Sequence, residues 1–96
     1  MREIDLDGSN WAQPDDFYQA FLNEVGAPAW HGHNFNALRD SIAAGKINAI
    51  EVPYLIKIKN FALIGQGAKG IVRDFVELIE ELRDSGIPVD IEIDEC

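Results

Sequence analysis

The chain has 96 residues, with 17 Asp and Glu against 8 Lys and Arg and a formal charge of −9. That length suits one domain spanning residues 1–96, and a hydrophobic share of 47% supports a packed core and excludes a disordered chain. The acidity argues against holding a nucleic-acid backbone, and no apolar run approaches the ~20 residues of a membrane-spanning helix. The opening MREIDLDG has no apolar stretch to act as a secretory signal, and the single cysteine, Cys96, cannot form an internal disulfide. A cytoplasmic protein is therefore expected, needing no metal or cofactor to fold.

Arg2 to Asp7 alternates polar and apolar and predicts a short strand, with Ile4 and Leu6 on one face. Gly8-Ser9-Asn10 is turn chemistry. Pro14 suits the first position of a helix, with Asp15 and Asp16 at the positive end of its dipole. Phe17, Phe21, Leu22 and Val25 make the apolar stripe of that helix, and Gly26 stops it. A loop then leads into a second helix that starts after Asn34 and ends at Gly45. Pro53 precedes a second strand over Tyr54 to Lys59, with Ile56 and Ile58 inward and Lys57 and Lys59 outward. Asn60 to Gly67 reads as irregular and glycine-rich. Ala68 to Asp84 repeats Ile71, Val72, Phe75, Leu78, Ile79 and Leu82 at helical period, and Gly86 closes it. Val89 to Asp94 is the last alternating strand.

Strands separated by helices pair in parallel through right-handed crossovers. Each strand here alternates instead of being apolar on both faces, which predicts helices on one face of the sheet and solvent on the other. The solvent face would carry Glu3, Asp5 and Asp7 on the first strand, Lys57 and Lys59 on the second, and Asp90, Glu92 and Asp94 on the third. Opposite charges on neighbouring strands attract and like charges repel, so the lysine strand belongs in the middle. The expected fold is a two-layer α/β domain with a three-stranded parallel sheet in the order 1-2-3.

The acid is concentrated late in the chain. Asp74, Glu77, Glu80, Glu81, Asp84, Asp90, Glu92, Asp94 and Glu95 are offset there by Arg83 alone. Such a surface attracts a basic partner, although acidity also serves solubility.

The most distinctive stretch is PAWHGHNFNALRD, Pro28 to Asp40. Asn34 is a good helix N-cap. Leu38 and Ile42 then face the core one turn apart, Phe35 flanks them, and Asn36, Arg39, Asp40 and Ala43 look outward. A loop holding Trp30, His31, Gly32 and His33 is thereby joined to a polar helix face, an arrangement suited to recognition.

The run P-x-W-x-G-x-N-x-x-A-L-x-D, carried by Pro28, Trp30, Gly32, Asn34, Ala37, Leu38 and Asp40, resembles the barstar family of small acidic intracellular inhibitors of secreted bacterial ribonucleases. The likeness extends through the strand at Pro53 to Lys59 and the final helix and strand. It implies the same two-layer fold and no catalysis. It also implies that Asp40 reaches into a nuclease active site where a substrate phosphate would sit, with Glu81 as a further acidic contact. The chain departs from the family's pattern in Asn36, where an acid is expected, in Arg39, where a helix Trp is expected, and in His31, where a second loop aromatic is expected.

Two other readings draw on the same residues. His31 and His33 could begin a metal site with Asp40, or supply a general base, but no soft third ligand or nucleophile motif accompanies them. GQGAKG at Gly65 to Gly70 lacks the G-K-[ST] ending of a phosphate loop. The reading adopted is an inhibitor or immunity protein that occludes the basic active site of a ribonuclease or related nuclease toxin. Its partner surface would comprise Trp30, His31, Gly32, Asn34, Phe35, Asn36, Arg39, Asp40, Ala43 and Glu81, with no metal, nucleic acid or membrane involved. A non-catalytic module of the same fold that binds some other protein is the alternative.

Overall fold

A computed structural model describes residues 2–94. Cys96 and Glu95, the latter counted above in the acidic stretch, lie outside the described residues, as does Met1. The described residues form one parallel sheet in which β1 (Arg2–Asp7), β2 (Tyr54–Lys59) and β3 (Val89–Ile93) follow the order β1-β2-β3. Three helices accompany it: α1 (Pro14–Glu24), α2 (Phe35–Ala43) and α3 (Gln66–Asp84). The lysine strand is central, as the charges require. Asp5 and Asp7 of β1 stand opposite Lys57 and Lys59, and Lys57 also faces Glu92 of β3. Lys57 Nζ lies 3.2 Å from Glu3 Oε2.

On the covered face Ile4, Ile56 and Ile91 share one rung of the sheet. Phe75 of α3 packs there against Phe17 and Phe21 of α1, with ring centroids 4.7 and 5.2 Å apart. All three rings are fully buried. The start of α1 is fixed by Asp16, whose Oδ2 accepts from the amides of Ala12 and Gln13 at 2.8 and 2.9 Å.

The structure shifts the sequence expectations at three places and adds a fourth feature. α3 begins at Gln66, two residues before Ala68, because Gly65 serves as its N-cap. The segment Asn60 to Gly67, expected to be irregular, holds a 3-10 turn over Phe61–Leu63 before the helix starts. β3 ends at Ile93, one residue short of Asp94, whose amide donates to Ile58 O and whose carbonyl accepts from Phe61 N. Trp11, in a stretch with no periodic pattern, is buried edge-on against Phe17, with centroids 5.7 Å apart.

Candidate functional site

Asn34 enters α2 in extended conformation, and its Oδ1 accepts from Ala37 N at 2.8 Å, closing the first turn of the helix. Leu38 and Ile42 are buried, and Ser41 also turns inward, its hydroxyl donating to Leu38 O at 3.3 Å. Asn36, Arg39, Asp40 and Ala43 are exposed together on the outer face. The Asp40 carboxylate makes no hydrogen bond or ion pair among the described residues. That face is available for contact because the apolar stripe leaves it no core role.

The preceding loop is built around its histidines. His31 N donates to Pro28 O at 3.0 Å, folding Pro28 to His31 into a turn with Trp30 near its tip. Trp30 is 75% exposed, a large indole standing in solvent. His31, which the sequence set beside Trp30 as a contact, is instead only 6% exposed. Its Nδ1 donates to Gly32 O at 2.8 Å, while Nε2 is buried with no partner among the described residues. The ring therefore supports the loop from within. The physical reason is local: the Pro28 to His31 turn and the bond from Nδ1 to Gly32 O hold the imidazole against the loop's own backbone.

Gly32 lies where a β-carbon would come within 2.8 Å of Asn34 Nδ2 and 3.5 Å of Ala37 Cβ. Its glycine is what lets the loop press onto the helix start. His33 pairs through Nδ1 with the Asp15 carboxylate, and its ring stacks on Tyr18 at 5.5 Å between centroids. Phe35, half-buried, meets the same Tyr18 edge-on at 6.3 Å. Tyr18 on α1 is thus the platform for the loop, a role sequence reasoning missed because its neighbours Phe17 and Phe21 carry the obvious stripe. His31 and His33 are each engaged separately, and no group of three or more His, Cys, Asp and Glu side chains among the described residues is placed to hold a metal ion.

Glu81, distant in sequence, comes to the edge of the α2 face. Arg39 Nη2 donates to Glu81 Oε2 at 3.2 Å across a shallow groove of ≈ 250 Å³ between α2 and α3. Phe35 and Leu78 line the groove together with Asp74 and Glu77. An exposed indole, an unpaired carboxylate and a mixed-charge edge suit protein recognition. The indole supplies area at low entropy cost, and the carboxylate awaits a cation.

No curated relative matches the chain. A family profile described as Barstar (barnase inhibitor) matches residues 1–94, nearly the whole length. With its parallel sheet in the order β1-β2-β3 and three helices among the described residues, the chain belongs to the barstar family.

Proposed function

We propose that this protein is an inhibitor, of the immunity type, that binds and occludes the basic active site of a bacterial ribonuclease or related toxic nuclease, without catalysing any reaction itself. Membership of a family of barnase inhibitors supports the inhibitory role. The observation that carries the reading is Trp30, 75% exposed on a turn that leads into His33, whose ring stacks on Tyr18. An indole left in water on a braced loop is an anchor without its pocket. Asp40 supplies the negative charge a phosphate-binding cleft attracts, and Asn36, Ala43 and the loop around Gly32 and Asn34 complete the contact. A nuclease cleft is basic because it must hold phosphates, so an acidic chain is steered towards it. The same acidity disfavours nucleic acid as the direct ligand, and we place the complex in the cytoplasm.

The test is a titration of ribonuclease activity with the purified protein, using barnase-type enzymes. Loss of activity that is complete at one chain per enzyme is expected. Persistence of activity at excess protein across such enzymes would favour the alternative, a barstar-fold module for a non-nuclease partner. Arg39 is the feature that favours this alternative, because it sets a cation on a face meant for cations.

A further inference from the structure

Arg39 projects from the exposed face of α2 beside Asp40, with its guanidinium held to Glu81 on α3 at 3.2 Å. The groove it spans is otherwise lined by the acids Asp74 and Glu77 and by Phe35 and Leu78. The pair is exposed, with side-chain accessibilities of 48% and 65%, so it adds little to folding stability. Its weight falls on binding. While the pair is closed, Glu81 is occupied by a cation of its own chain, and a positive charge stands next to the carboxylate of Asp40. A cleft lined by cations alone would meet that charge with like charge, which is strongly unfavourable once water is excluded. A cleft that also bears a carboxylate would let the pair open. Arg39 would pass to the carboxylate, Glu81 to one of the cations, and every charge would stay paired.

Taking the chain as a ribonuclease inhibitor, as above, we propose that Arg39 is the specificity-determining residue of the binding face. It excludes nuclease clefts that present cations alone and admits one that sets a carboxylate opposite it, among the cations that meet Asp40 and Glu81. Such a cleft is ordinary chemistry for an enzyme that cleaves RNA without a metal. It needs cations for the phosphate and a general base, often a carboxylate, for the attacking hydroxyl.

Barnase serves as the probe, with inhibition measured for the wild type, Arg39→Ala, Asp40→Ala, and Arg39→Ala combined with Asp40→Ala or with Glu81→Ala. Against a ribonuclease that needs no metal, such as barnase, Arg39→Ala should inhibit about tenfold or more weakly than the wild type, at an unchanged thermal midpoint. Adding Glu81→Ala to it should weaken inhibition further, because Glu81 meets one of the cleft cations. Equal inhibition by wild type and Arg39→Ala, including no inhibition by either, overturns the proposal. A second arm uses calorimetric binding to barnase variants in which single cleft carboxylates are replaced by the matching amides. In at least one the advantage of the wild type over Arg39→Ala should be lost, and its persistence in every such variant also overturns the proposal. The Asp40 combination separates the two levels of the argument. If wild type and Arg39→Ala inhibit equally but both depend on Asp40, the inhibitor reading stands and the role of Arg39 falls. If inhibition is indifferent to Asp40, the face itself is wrong and both fall.

Discussion

A β-carbon on Gly32 would stand 2.8 Å from Asn34 Nδ2, the far end of a side chain whose Oδ1 caps α2 at Ala37. The clash could be relieved by rotating the Asn34 amide, but that rotation breaks the cap. Gly32→Ala is therefore expected to destabilise through Asn34, and Asn34→Ala should itself lose roughly 0.5–2 kcal/mol. Thermal denaturation of the two single variants and the double checks this. The double should lose less than the sum of the singles, because both act on one cap. Additive losses would place the cost of Gly32→Ala elsewhere in the loop.

The strand order was legible because charge on the open face is a pattern of type and position. Lysines on β2 between acids on β1 and β3 leave one low-energy order. The helices were legible from their stripes, apart from the start of α3. There the glycines that made GQGAKG look irregular have a tertiary reason. At Gly67 a β-carbon would stand 2.4 Å from Ala12 O, and Gly65 N donates to Trp11 O at 2.8 Å. No local rule could anticipate that approach. The same holds for Trp11 and Tyr18, whose burial depends on what folds over them. At the site, the outward face of α2 followed from spacing. The inward turn of His31 did not, since a loop side chain has no period to fix its direction.

Acid should weaken the start of α1 in a way that can be assigned to one residue. Hydrogen bonds from the amides of Gln13 and Ala12 hold the Asp16 carboxyl below the usual carboxylate range. A folded-state value below the unfolded one, about 3.9, means that stability is fully present above that pH and is lost as pH falls through the folded value. Asp16→Ala should thus lower the thermal midpoint near neutrality, and the gap to the wild type should hold down to about pH 5 and narrow below about pH 4. A gap that is constant into acid would show that the charge on Asp16 is not its source.

Two tryptophans in opposite environments give a direct optical readout. Trp11 is 6% exposed and Trp30 75% exposed. In Trp11→Phe, the remaining emission should be that of a water-exposed indole and should shift to shorter wavelength when a partner covers it. Trp30→Ala should leave the melting curve near wild type while lowering affinity by about 2 kcal/mol or more, the scale of an interface anchor. Emission from Trp30 that does not change in a complex would place the interface on another face.

Asp40 gives the sharpest division between folding and binding. Its carboxylate is exposed on α2 and engages no partner among the described residues, so its removal touches nothing in the folded chain. An exposed helix substitution of this kind usually shifts stability by under about 0.5 kcal/mol. In a complex with a basic cleft the same carboxylate would be desolvated against cations. Truncating it would leave those cations buried without a counter-charge, costing roughly 2–5 kcal/mol of binding. Asp40→Ala is expected to reduce affinity by about thirtyfold or more at an unchanged thermal midpoint. Calorimetric titration of wild type and variant into the same ribonuclease measures this. Equal affinities would move the charged contact off α2, whereas a fall in affinity matched by a fall in stability would make Asp40 a structural residue.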